Sequence, residues 1–123
     1  MAKALGIGGV FFKSADPKKL LEWYATHLGL KVEQYGAVTF EPKALPPGAK
    51  TVWTPFKADT DYFAPSSKEF MFNLIVDDVA GALRQVAEGG AQVVGEIADY
   101  PYGRFGHFID PDGNKIELWE PKE

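Results

Sequence analysis

His107 and Glu117 are the residues whose types and spacing best suit chemistry. Glu117 lies between Ile116 and Leu118 in a strand-like run, where a carboxylate can hold a metal, act as a base, orient a ligand or face water. The preceding Asp110-Pro111-Asp112-Gly113 carries the residues of a type I turn that closes a hairpin. With the glycine in a bulge and Asp110 paired with Asn114, Ile109 faces Lys115, Phe108 faces Ile116, His107 faces Glu117 and Phe105 faces Trp119. Opposed Cβ atoms lie about 4.5–5.5 Å apart, so His107 and Glu117 can hydrogen-bond or share a ligand. Such a pair suits acid–base work, because the carboxylate fixes the imidazole tautomer; it is equally a satisfied structural hydrogen bond. Aromatic surroundings are expected to raise the Glu117 pKa by desolvation, with a charged His107 opposing the rise. His27, the other histidine, falls near a helix C-terminus as a surface residue favoured by the helix dipole. The absence of cysteine excludes disulfides, thiolate zinc sites and a cysteine nucleophile.

The elements that position this pair come from a repeat. VFFKSADPKKLLEWYATHLGLKV from Val10 matches FNLIVDDVAGALRQVAEGGAQVV from Phe72 at an offset of 62 residues. In each copy an apolar strand meets an aspartate, Asp16 or Asp78, suited to cap a helix. Leu20, Leu21, Tyr24 and Leu28 form the apolar stripe of the first helix, and Val79, Ala82, Leu83 and Val86 that of the second. Pro17 suits the first helical position, and Gly29, Gly89 and Gly90 end the helices. A strand and a hairpin follow in both, so the unit is strand, helix and three strands, made twice. Alternation in Met71–Val76 turns Phe72, Leu74 and Val76 to one face, under the helices, and Met71, Asn73 and Ile75 to the other, concave face. The concave face is where a ligand belongs.

Together with LLEWYATHLGLKV and VDDVAGAL, the closing GRFGHFIDPDGNKIELWEP resembles the vicinal oxygen chelate superfamily, which includes glyoxalases, extradiol dioxygenases and bleomycin-resistance proteins. The resemblance covers essentially the whole chain and implies an α+β fold. In it, two pseudo-symmetric βαβββ modules form a curved mixed sheet around a central cavity. Module 1 would span about residues 1–57, a linker 58–68 and module 2 residues 69–123. It also implies a homodimer. Metal-dependent members hold a divalent ion through His or Glu side chains from both modules. Here Glu117 matches the last-strand carboxylate, whereas the other ligand positions fall on Gly9, on Met71 and around Val52 to Pro55, none a good ligand. A degenerate metal site with no favoured cofactor is therefore expected; any divalent metal would rest on Glu117 and His107.

Thirteen basic against seventeen acidic residues give a net charge of −4, which offers nucleic acid no electrostatic footing. No apolar run approaches a membrane span, and MAKALGIGG does not read as a signal peptide, so a cytoplasmic protein is expected. Aromatic residues make up 14% of the chain, and Trp53, Tyr62, Phe63, Tyr100, Tyr102, Phe105 and Trp119 fall on the expected cavity strands or nearby loops. The long segment Pro55–Phe70 suits a lid, with Tyr62 and Phe63 able to close over a flat apolar ligand. Arg104 faces away from the cavity by alternation, opposite Glu120, yet near enough to a strand end to reach a ligand anion. Three functions stay open. One is a binder of a small aromatic or hydrophobic molecule, gripped by these rings with Asn73. Another is an enzyme of the same superfamily, a metal-assisted lyase, isomerase or dioxygenase or a metal-free catalyst using His107 and Glu117. The third is a structural or regulatory module with a vestigial cavity.

Overall fold

The two aspartates do start helices. In the computed structural model, which describes residues 1–122, Asp16 accepts from the Lys19 N–H at 3.2 Å and Asp78 from the Gly81 N–H at 3.0 Å. Helix α1 (Pro17–Leu28) opens with its proline at the position where a missing N–H costs nothing, and Gly29 ends it at φ +68°. Helix α2 spans Val79–Glu88. The strands are β1 (Phe72–Ile75), β2 (Gln92–Tyr100), β3 (Gly103–Ile109) and β4 (Lys115–Pro121). They form one mixed sheet of order β1-β4-β3-β2, with β1 parallel to β4 and the other pairs antiparallel. The fold is α+β, and the second half is the expected βαβββ unit.

The hairpin register matches the turn chemistry. Gly113 takes φ +84° and donates to the Asp110 carbonyl, and the Asp110 N–H donates to the Asn114 carbonyl, each at 2.9 Å. Ile109 then pairs with Lys115, Phe108 with Ile116, His107 with Glu117 and Phe105 with Trp119. Phe108, Ile116 and Leu118 are buried to 1% exposure or less under the helices, each contributing about 1.5–3 kcal/mol as burial of a large apolar side chain. Leu20 and Tyr24 of α1 join the same core as Val79, Ala82 and Val86 of α2. Gly106 of β3 lets α2 approach closely: a Cβ there would lie 2.8 Å from Leu83 and 3.0 Å from Val79.

The strand-like segments that flank α1 have no sheet of their own in the single chain. A lone bridge, Val32 to Val38, is the only ladder contact in the first half among the described residues. The physical reason lies in α1. Its apolar face is already buried on the second-half sheet, Trp23 Nε1 donates to the Gly89 carbonyl at 2.9 Å, and Gln85 Nε2 donates to the His27 carbonyl at 2.8 Å. The helix that would cover a first-half sheet is therefore spent elsewhere, and Val10, Phe11, Val52 and Trp53 remain exposed.

Candidate functional site

Strand β4 runs between β1 and β3, and its register sets Glu117 beside Asn73 on one side and His107 on the other. All three side chains point to the concave face. Asn73 Nδ2 donates to Glu117 Oε1 at 2.8 Å, and His107 Nε2 contacts Oε2 at 2.9 Å. A third donor comes from the connecting segment: Tyr62 Oη donates to the same Oε2 at 2.7 Å and lies 3.3 Å from His107 Nε2. A carboxylate can only accept, so Nε2 is the ring nitrogen that carries its hydrogen towards Glu117. The His107 and Glu117 side chains are only 15% and 14% exposed.

This geometry reverses the expected direction of the Glu117 pKa. Burial is the largest single influence and pushes the carboxyl up, but hydrogen bonds from His107, Tyr62 and Asn73, with the charge on His107, together outweigh it. Glu117 is held below the usual glutamate value. Alternation foretold the aromatic wall but not two extra donors to one carboxylate. The Tyr62 phenol is pushed well above its ordinary value, first by burial and then by its bond to Glu117 and that residue's negative charge.

Tyr62 is held from below by a residue not anticipated as part of the site. Lys115 Nζ donates to the Tyr62 carbonyl at 2.6 Å and sits 5.1 Å from the centre of its ring. Lys115 lies two residues before Glu117 on β4, so strand alternation alone places it on the same face. Its ammonium is desolvated there, which lowers its pKa. Ser66 Oγ fastens the same segment through the Gly113 carbonyl at 2.6 Å, so Pro55–Phe70 is tied to the hairpin rather than arched over it.

Beside the carboxylate lies a run of rings. Phe105 and Trp119 are parallel at 6.1 Å, Tyr100 and Tyr102 are parallel at 5.3 Å, and Tyr102 meets Phe105 edge-on at 5.9 Å. Tyr62 stacks on Phe56 at 5.8 Å, and Phe63 rests on the same ring at 5.1 Å, behind the site. Two residues lie apart from this cluster. Trp53 is 79% exposed on the unpaired first half. Arg104 pairs with Asp99 at 3.4 Å, because the opposite Glu120 accepts from the Val79 N–H at 3.0 Å, at the start of α2. Two depressions of the surface lie away from this cluster. One of about 430 Å³ is lined by Trp23, Gly89 and Pro111, and another of about 450 Å³ by Phe11, Phe12 and Phe72. In the single chain the concave face is an open shelf.

A mixed sheet backed by two helices, with a polar centre on its concave face, defines the class. The chain belongs to the glyoxalase-like domain family, which it matches over residues 9–119. Among solved structures it is similar to a glyoxalase/bleomycin resistance protein/dioxygenase superfamily member from Sphaerobacter thermophilus, at 25% identity and TM-score 0.50 over 87% of this chain and 90% of that one. It is similar to TnmS3, an antibiotic-binding protein from a Streptomyces species, at 26% identity and TM-score 0.50 over 88% of each chain. An integron cassette protein from V. cholerae shares the fold at 21% identity and TM-score 0.52, covering 86% of this chain and 87% of that one. The match to hypothetical protein SA1046 from S. aureus spans 46% of each chain. No curated protein matches the sequence.

The superfamily's divalent metal does not fit the residues present. Among the described residues no three His, Cys, Asp or Glu side chains cluster to hold an ion. Both Glu117 oxygens are met by hydrogens, and Asn73 turns its amide NH₂ inward, so the floor offers protons where a cation needs lone pairs.

Proposed function

We propose that this glyoxalase-like protein binds a small, flat aromatic or hydrophobic molecule on the concave face, without a metal. The ring run Tyr100, Tyr102, Phe105 and Trp119, ending beside a hydrogen-bonded carboxylate, is the observation that carries this reading. Rings with fixed geometry offer large apolar area at low entropic cost, and Tyr and Trp keep a polar edge for a ligand heteroatom. With its donors already supplied by the protein, Glu117 acts as a polar floor that orients His107 and Tyr62 towards a ligand. The likeness to an antibiotic-binding protein supports a binding role of this kind.

A second reading draws on the Tyr62–Glu117–His107 contacts of 2.7, 2.9 and 3.3 Å. Two proton donors, Tyr62 and His107, converge on one carboxylate acceptor, and metal-free acid–base chemistry on a bound ring system would use His107 as the exchanging group. Calorimetric titration with acridine, naphthol and anthraquinone sulfonate tests the first reading, with Trp119 emission followed in a Trp23→Phe, Trp53→Phe background. Saturable one-site binding, weakened at least tenfold by Trp119→Ala, is expected. Binding unaffected by Trp119→Ala would move the ligand off this face. Turnover of a bound compound that His107→Asn abolishes would favour the second reading.

A further inference from the structure

We infer that the depression at the outer edge of β1 is a second binding site, one that takes a small aromatic carboxylate. It lies on the other side of the sheet from Glu117. Phe72 is in register with Ile116, which is buried under the helices, whereas the next residue, Asn73, is in register with Glu117 on the concave face. Phe70 and Phe72 stack with ring centres 5.0 Å apart, and Phe12, from the segment before α1, meets Phe72 at 4.8 Å. Phe11 completes the lining, so four rings from two separate segments border a space of about 450 Å³. That volume is in the range of small-molecule sites, and ring faces and edges are what an aromatic ligand packs against. The wall is anchored from behind, because Phe72 packs against the buried core.

Charge decides the class of ligand. The polar side chains of the lining are those of Lys13 and Lys68 alone. Among the described residues neither ammonium pairs with a carboxylate. Lys68, Phe70 and Phe72 line the space while the intervening Glu69 and Met71 do not, so the nearest acidic neighbour in sequence is kept out of it. Lys68 is half-buried, and its Nζ lies 6.0 Å from the centre of the Phe70 ring. Its charge is therefore already placed over the apolar wall, which reduces the ordering that binding would require. On a chain of net charge −4, this mouth is a local excess of positive charge. Such a lining repels cations and has no side-chain acceptor for a neutral polar ligand. It matches a ring bearing one carboxylate, the ring against the phenyl groups and the carboxylate between the two ammonium groups. The concave face has a carboxylate at its centre and lies across the sheet, so binding here does not depend on the ring run that includes Trp119.

The probes are naphthoate and its uncharged amide, titrated into the full chain and followed by backbone amide chemical shifts. Naphthoate is expected to saturate, with its largest shifts at residues 11–13 and 68–72, and to bind about fivefold more tightly than the amide. Lys68→Gln should bring the two affinities together, and Lys68→Arg should keep them apart. The substitution leaves the fold alone, because the Lys68 ammonium has no carboxylate partner to lose and the backbone N–H keeps its 3.1 Å bond to Ser66 Oγ. Phe11 is 95% exposed, so Phe11→Ser is a second variant that spares the core; it should weaken naphthoate about threefold. Added salt should weaken naphthoate and leave the amide unchanged. Trp119→Ala should alter neither. Equal affinity of the two probes would refute the charged mouth. Shifts centred on His107 and Glu117, abolished by Trp119→Ala, would assign naphthoate to the concave face and remove the second site. Failure of naphthoate to saturate at millimolar concentration would overturn the inference outright, and would leave the concave-face reading to its own probes.

Discussion

Tyr62→Phe isolates the contact that joins the connecting segment to the candidate site. The substitution removes one hydroxyl, whose oxygen lies 2.7 Å from Glu117 Oε2. The segment itself stays docked, because Lys115 still reaches the Tyr62 carbonyl and Ser66 the Gly113 carbonyl, each at 2.6 Å. A hydrogen bond to a charged group contributes about 1.5–3 kcal/mol when buried. Tyr62 is 41% exposed, so water takes part of the vacated place, and the expected loss is about 1–1.5 kcal/mol. In urea this reads as a lower midpoint with an unchanged slope, and by heating as a fall of about 3–6 °C. Glu117→Gln in the same experiment gives a double-mutant cycle with a coupling of about 0.5–1 kcal/mol, since glutamine still accepts from Tyr62 but lacks the charge that strengthens the bond. Strict additivity, or a Tyr62→Phe protein as stable as wild type, would refute the placement of the hydroxyl on the carboxylate.

Three further outcomes follow from the same contacts. The folded-state pKa of Glu117 is depressed, so its contribution to stability is fully present above the unfolded value of about 4.3 and is lost as pH falls through the lower folded value. Urea midpoints of wild type and Glu117→Gln should therefore converge only in acid. Tyr24→Phe removes the donor 2.8 Å from Asp110 Oδ2, leaving a buried carboxylate with its turn and Asn114 donors alone; a loss of about 1.5–3 kcal/mol is expected in denaturant titration. Gly106→Ala forces a methyl against Leu83 and Val79 and should cost about 1–3 kcal/mol, seen as a lower melting temperature.

The parts legible in the sequence are those governed by local rules. Turn residues at Asp110–Gly113 determined the register, and with it the opposition of His107 and Glu117. Asp16 and Asp78 announced their helices. Alternation gave Asn73 its face, whereas the parallel pairing that sets it beside Glu117 came only with the fold. Contacts across long separations were not legible: Tyr62 meets Glu117 from 55 residues away, and nothing local in Pro55–Phe70 favours that tyrosine over Phe63. The direction of the Glu117 pKa followed from the same omission, because burial was foreseen and two of its three donors were not. The first-half strands illustrate another limit. Alternation marks which side chains share a face, but pairing needs an edge, and α1 had been drawn to the other half of the chain.

The saturation of Glu117 also measures how far this chain lies from its metal-using relatives in mutational steps. Regaining a cation site would take more than ligands at Gly9 and Met71. The Tyr62 hydroxyl would have to be lost and the Asn73 amide turned or replaced, since both now aim hydrogens at the carboxylate. Each early step removes a stabilising bond before any metal is there to compensate it, so the path descends in stability before it can rise in activity. The bonds that hold the Glu117 carboxylate in place are thus the same ones that a returning cation would have to break.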